Sequence, residues 1–419
     1  MKNVYVIGSY MTQFKKWPDR TFKDLVREAY LGTLEDIGWE NGDEIGFAWF
    51  SNVMMSHWKQ SSISGQVCFI PLVREGLFPA RVPMINVEDA CASGGMALYS
   101  AWQNILSGQN EVTLALGVEK LVDPNASKET MFALFAQGMD NMDPEEQLTV
   151  FRNAAKTAGK DADFGTNRTV FMDTYAIKAA YHMHRYGTTQ RQIATAASKA
   201  HHNGSLNPKA QYRFEVSVDE VLADREVNYP LTRSMCAPMG DGAAAAILCS
   251  EDYLKTLPSE VQNRAVLIKG MGVKAGIDVG MDEPTVTRFA GDAAYKMAGV
   301  GPEDIDLVEA HDACSFSEIF QPEMLRFCPE GGGGKFVESG ETRLEGKIPW
   351  NPSGGLVSKG HPLGATGLSM VNEVVTQLRG EGGDRQVKNK HEFGLIDNGG
   401  GNMFLDEAIC VVMIMQKDR

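Results

Sequence analysis

The chain repeats itself. An apolar strand at residues 4–8 precedes a helical pattern over 22–38, a Gly/acidic turn ending in Ile45, and a second apolar strand reaching Trp49. The same order returns later: a strand at 265–270, a helix around 289–298, a Gly/acidic turn ending in Ile305, and a strand to Ala310. The first helix places Phe22, Leu25, Val26, Ala29, Gly32, Thr33 and Ile37 at helical spacing, which gives it one buried stripe. Two further helices also correspond. Ala92-Ser93-Gly94 opens one that stops at Gly108, Ala365-Thr366-Gly367 opens one that stops at Gly380, and strands at 112–117 and 393–397 follow them. Both are apolar or small over most of their surface, so each needs cover on all sides, as in a layer between two sheets. A duplicated α/β unit around a shared helical layer is the economical architecture.

Residues 120–230 break the repeat. They are richer in Met, Asn, Asp and Lys and show helical patterns near 175–185 and 189–201. A segment this long is no plain loop, and insertions at the active end of α/β units shape binding sites. Met131, Met139, Met142, Met172 and Met183 are expected to pack it and to line an adaptable acyl pocket. The run Gly331-Gly332-Gly333-Gly334 reads as a flexible surface loop.

Cys91 precedes the first small-residue helix in Glu88-Asp89-Ala90-Cys91-Ala92-Ser93-Gly94, and His361 precedes the second in Gly360-His361-Pro362-Leu363-Gly364. Unpaired N–H groups at a helix N-terminus favour thiolate over thiol, and small neighbours leave a carbonyl room to approach. A thiol and a distant imidazole, each at the mouth of a small-residue helix, suit acyl transfer through a thioester. Seven cysteines without a C-x-x-C pair imply a reducing compartment and no structural zinc. His182, His184, His201 and His202 have metal-like spacing, but structural roles are favoured and no metal is expected. A net charge of −14 argues against nucleic acid or an anionic membrane as partner. With no apolar run near the length of a membrane span and no signal-peptide pattern, a cytoplasmic location is expected.

In order along the chain stand Ala90-Cys91-Ala92-Ser93-Gly94, Gly117-Val118-Glu119-Lys120, His202-Asn203-Gly204 to Gln211, Cys236-Ala237-Pro238-Met239-Gly240-Asp241-Gly242, His311-Asp312-Ala313-Cys314, and Gly354-Gly355 to Gly360-His361-Pro362. Together these resemble the thiolase superfamily, in its sterol-carrier-protein-type and archaeal branch. The resemblance implies a five-layered αβαβα fold of two similar halves. The expected division is 1–119 plus 231–262 for the N-terminal half, 120–230 for an inserted loop domain, and 263–419 for the C-terminal half.

It also implies roles. Cys91 would be the nucleophile and His361 its base, and His311 would line one oxyanion hole with His361. The N–H groups of Cys91 and of Gly399 or a neighbour would form the other. Many thiolases carry a second catalytic cysteine where this chain has Asp397-Asn398-Gly399. The sterol-carrier-type branch draws that thiol from His-Asp-Cys-Phe, one place earlier than Cys314 stands here. Since a one-residue shift can turn a side chain to the opposite face, the reach of Cys314 stays open.

The expected reaction is cleavage of a 3-oxoacyl-CoA by coenzyme A through an acyl-cysteine, or the reverse Claisen condensation, with no tightly bound cofactor. Benzoylsuccinyl-CoA, split into benzoyl-CoA and succinyl-CoA in aromatic degradation, is one specific candidate substrate. A homodimer core and a small zinc-ribbon/OB-fold subunit are the implied partners. Retro-aldol cleavage of acyl-CoA substrates and a non-catalytic acyl-CoA-binding role are the alternatives.

Overall fold

The computed structural model describes residues 2–162, 164–165, 167–388 and 391–417. Eleven strands are present among them: β1 Val4–Met11, β2 Phe47–Ser51, β3 Met84–Val87, β4 Val112–Glu119, β5 Glu226–Asn228, β6 Leu231–Thr232, β7 Gly242–Ser250, β8 Val266–Ala275, β9 Leu307–Ala310, β10 Phe393–Gly400 and β11 Ile409–Gln416. Nine of them run in the order β3-β2-β4-β7-β1-β8-β11-β10-β9. The repeat is visible in the pairing. In the first half β2/β4 is parallel while β4/β7 and β7/β1 are antiparallel; in the second, β9/β10 is parallel while β10/β11 and β11/β8 are antiparallel. The halves meet edge to edge through only Tyr5↔Leu267 and Val6↔Val266. Where β3 flanks β2, Trp350 alone bridges Val308 beside β9.

Alternation along the strands builds the layers. On β7, Ala244, Ala246 and Leu248 face the central helices, whereas Ala243, Ala245, Ile247 and Cys249 face the outer helix Phe22–Ile37. That helix starts at a reciprocal Thr21/Asp24 capping box and stops at Gly38, φ +83°. Its counterpart Val286–Ala298 covers the outer face of β8 and β11 and stops at Gly299, φ +71°. Between the sheets lie Ser93–Leu106 and Leu363–Arg379, packed on one another and on strands of both halves. The layers are therefore αβαβα.

The central helices come together through glycine. A Cβ on Gly94 would sit 3.1 Å from the Gly364 carbonyl oxygen and the Gly367 amide, and one on Gly117 of β4 would overlap that carbonyl. Small residues at these positions let the two helix starts abut.

Between β4 and β7 the described residues form five α-helices and two short 3-10 turns, among them the helices Val170–Tyr186 and Gln190–Ser205. The latter leans on the second half. Asn203 and Asn207 donate to the carbonyls of Asn351 and Ser353 at 2.9 Å, and the amides of Gln211 and Tyr212 donate to those of Lys359 and Ser358 at 2.9 Å. The glycine run differs from its expected flexible loop. Gly333 and Gly334 are buried at the start of a helix, Gly333–Glu338; a Cβ on Gly333 would overlap the Ile319 carbonyl, and its N–H donates to Glu323 at 2.8 Å. Close packing, rather than freedom, explains glycine there.

Gly117→Ala is expected to destabilise the fold by about 1–3 kcal/mol, the usual cost of overpacking. The urea midpoint should fall, and activity should fall further than stability, because the added methyl pushes the helix starts apart.

Candidate active site

Cys91 is delivered by a tight turn after β3. Ala90 adopts φ +47°, a left-handed conformation costly for a residue with a Cβ. Ser93 holds the turn: its hydroxyl donates to the Ala90 carbonyl at 2.6 Å and accepts the Asp89 N–H at 2.8 Å. Asn398 of β10 ties it to the other half, donating to the Cys91 carbonyl at 3.0 Å and accepting the Gly95 N–H at 3.2 Å.

His361 reaches the same point from the second half. Glu309 of β9 accepts the Ser353 amide and hydroxyl at 2.9 and 2.7 Å and pairs with fully buried Lys359 at 3.3 Å. Asp312 accepts the Leu356 N–H at 2.6 Å and so orients backbone. Glu119 spans the halves through the amides of Val53, Met54 and Gly364, while Asp241 accepts three amides from Trp17, Leu121 and Val122.

The result is a contact of 3.2 Å between Cys91 Sγ and His361 Nε2. The far side of the ring sets its tautomer. Thr366 donates its hydroxyl to the Pro362 carbonyl at 3.0 Å, so its oxygen is left to accept from His361 Nδ1 at 2.8 Å. Nδ1 therefore carries the hydrogen, and the Nε2 lone pair faces the thiol. Thr366 was not among the expected site residues; its place one helical turn after His361 was the available signal.

Burial pushes the Cys91 thiol up to about 12, assisted by Glu407 and Glu119, although the N–H groups of Cys91 itself and Gly401 favour its thiolate. Burial, then His311 and Lys359, holds His361 well below the usual imidazole range. The resting pair is thus thiol and neutral imidazole, unlike the helix-stabilised thiolate expected from sequence.

His311 joins them, its ring 5.2 Å from that of His361. No close hydrogen bond reaches either of its nitrogens, Glu407 lies 3.7 Å from Nδ1, and desolvation lowers it to about 4 against the Gly399 backbone, which favours its charged form. Of Gly399 and its neighbours, it is a neighbour that faces the sulfur, and Cys314, whose reach was open, lies elsewhere. Gly399 sits inside the β10/β11 ladder opposite Cys410 and backs onto Glu407; Gly401, two places on, presents its N–H to the Cys91 sulfur. Cys314 does not line the cavity. Its neighbour Ala313 does, while Cys314 is fully buried among Ala176, Ala179, Phe316 and Ile319, its thiol pushed up to about 12. The offset of one residue has turned it to the other face.

The cavity over these groups encloses about 1070 Å³, its open mouth included. Phe132, Phe135, Phe171, Met172 and Tyr175 from the inserted helices form an apolar wall. Arg168, Arg225 and Arg233 line it too, and the last two are exposed. Of the other expected methionines, Met142 is 98% exposed and packs nothing. The metal-spaced histidines go separate ways: His182 to Glu323 and Thr188, His201 to the Ser234 carbonyl, His202 to Glu215. Ligand atoms of Cys91, His311 and His361 lie within 4.8 Å of one another, but a thiol and base in hydrogen-bond contact beneath an acyl-sized cavity are laid out for covalent catalysis. No described helix is long and apolar enough to cross a membrane.

A duplicated αβαβα fold that joins a thiol of one half to an imidazole of the other defines an acyltransferase of the thiolase class. Residues 4–227 match the thiolase N-terminal domain and residues 279–413 the thiolase C-terminal domain-like family. The chain is 38% identical over 407 residues to the acetyl-CoA acetyltransferase of Methanothermobacter thermautotrophicus, covering 96% of this chain and 97% of that protein. It is 34% identical over 398 residues to human sterol carrier protein 2, covering 92% and 68%. A solved structure described as an Ltp2-ChsH2(DUF35) aldolase superposes with a TM-score of 0.74 at 21% identity, covering 100% of this chain and 98% of that one. The chain belongs to the thiolase family.

Thr366→Val should leave the fold intact but lower turnover by about 10- to 100-fold, since a buried imidazole N–H left unpaired costs roughly 1–3 kcal/mol. Steady-state kinetics beside circular dichroism would show it.

Proposed function

We propose that the chain cleaves a 3-oxoacyl-CoA with coenzyme A, or runs the reverse condensation, through an acyl-Cys91 intermediate. The contact between Cys91 and His361 carries this reading. His361 takes the thiol proton, the Cys91 and Gly401 amides steady the oxyanion on the carbon under attack, and His311 with His361 serves the thioester oxygen. Oxyanion donors of this kind are worth about 10²–10³-fold in rate. No redox step or bound cofactor is needed.

Benzoylsuccinyl-CoA is the substrate we favour within this class, because the acyl wall is built from Phe132, Phe135, Phe171 and Tyr175. An intact thiol–imidazole pair weighs against a non-catalytic role and against the retro-aldol alternative, although a thiolase-fold aldolase is among the structural neighbours. Incubation with benzoyl-CoA or acetyl-CoA, followed by peptide mass analysis, is expected to show the acyl group on Cys91. Acylation of another cysteine only, or full turnover by Cys91→Ala, would defeat the reading.

A homodimer follows from the resemblance. The outer edge of β3 is free and carries Ile85, 48% exposed, which suits continuation into a second copy. A small zinc-ribbon/OB-fold subunit is the second partner we propose, and the DUF35 component named in the aldolase neighbour supports it. Arg168, Arg225 and Arg233 suit the coenzyme A phosphates, a basic group not apparent as any run in the sequence. Such a subunit would extend this grip, so adding it should lower the KM for the CoA ester more than it changes turnover. Identical kinetics with and without it would remove it from the proposal.

A further inference from the structure

Cys314, the thiol expected to move the proton at the substrate α-carbon, faces away from the cavity. The turn between β10 and β11 supplies a different group. It is pinned at three places: Met403 and Asp406 exchange backbone hydrogen bonds at 3.0 Å, the Asn402 N–H donates to the Gly138 carbonyl at 2.8 Å, and the Asp406 carboxylate accepts the Val286 N–H at 2.9 and 3.1 Å. The next residue, Glu407, extends into the wall shared with Cys91, His311, His361 and Gly401. It is the only carboxylic acid among the described residues that line this cavity. We propose that Glu407 is the catalytic acid and base at the substrate α-carbon, a role that rests on the thiolase reading above.

The protons balance. Cys91 gives its proton to His361 as its sulfur bonds to the 3-oxo carbon. The C2–C3 bond breaks, and its electron pair passes to C2 as the enolate of the departing thioester. Glu407 protonates C2, releasing the shortened acyl-CoA and becoming carboxylate. Through solvent, His361 then gives up its proton and Glu407 regains one. His361 takes the coenzyme A proton as that sulfur takes the acyl group and hands it to the departing Cys91 thiolate, so Glu407 has no part in acyl exchange.

The surroundings suit this cycle. Burial and the nearby Asp397 carboxyl push Glu407 up to about 8, against the pull of Lys178, so it holds a proton at neutral pH yet releases one readily. The titratable groups facing it are Lys178 and Tyr175 from the helix Val170–Tyr186, His311 after β9, Asp397 of β10 and Cys410 of β11. Cys91 and Asp406 also face it. Of the cavity groups, His311 and His361 are held lower and the thiols far higher.

The test separates the two half-reactions. With acetyl-CoA or benzoyl-CoA as donor, Glu407→Gln should acylate Cys91 as wild type does. It should lose about 10²–10⁴-fold in cleavage and condensation, together with enzyme-dependent deuterium uptake at the α-carbon of acetyl-CoA or succinyl-CoA in D₂O. Glu407→Asp should recover part of that uptake. Wild-type deuterium uptake by Glu407→Gln overturns the proposal, and so does equal loss of acylation and uptake. Failure of wild type to acylate Cys91 from either donor overturns the thiolase reading itself. A measurement on wild type alone guards against a variant that does not fold. Cleavage needs the acid and should fall as pH rises through about 8, condensation needs the carboxylate and should rise, and Cys91 acylation should show neither limb. Absence of that opposed pair of limbs also overturns the assignment.

Discussion

The abutment of two helix starts governs the molecule. Ser93–Leu106 and Leu363–Arg379 meet where Gly94, Gly364 and Gly367 remove every side chain that would separate them. The turns ahead of these helices hold Cys91 and His361, so a packing constraint fixes a chemical distance of 3.2 Å. Both sheets follow from the same demand. Helices apolar or small on nearly all sides must be covered on two faces, and duplicated sheets of matching topology provide that cover.

Around this contact the protein keeps acids buried but paired with backbone. Glu119, Glu309, Asp241 and Asp312 each accept backbone amides, and each fastens a loop near the reactive groups. The reacting pair itself rests neutral. That arrangement spares the site the cost of two isolated buried charges and withholds nucleophilicity until a carbonyl arrives to accept the electrons. The fastening acids and the waiting thiol thus divide the work between rigidity and reactivity.

Much of this was legible in the sequence, because it lay in local pattern. The repeat, the small-residue helices, Cys91, His361 and His311 all sit in contiguous motifs. What stayed hidden depended on register or on distance. Whether Cys314 reaches the site, and whether Gly399 or a neighbour faces the sulfur, turns on one or two residues of register, which in extended backbone decides the face but leaves composition unchanged. The arginines at 168, 225 and 233 are scattered along the chain and share only the wall of the cavity. Glu407 looked like an ordinary turn acid, and nothing local distinguishes it from Asp406 beside it, which caps a helix instead. The glycine run misled because flexibility and tight packing call for the same residue.

The thiol and imidazole stand 270 residues apart in the chain, and Gly401 lies further on still. A contact so distant forms late, since loop closure must precede it. On the ribosome, where the first half emerges first, Cys91 is therefore an ordinary buried-to-be thiol with no base beside it. Reactivity arrives only when the second half docks and the last hairpin closes. The split of the site between the halves thus ties catalysis to assembly: a half-folded chain has the cysteine but not the base and backbone donors that the second half brings.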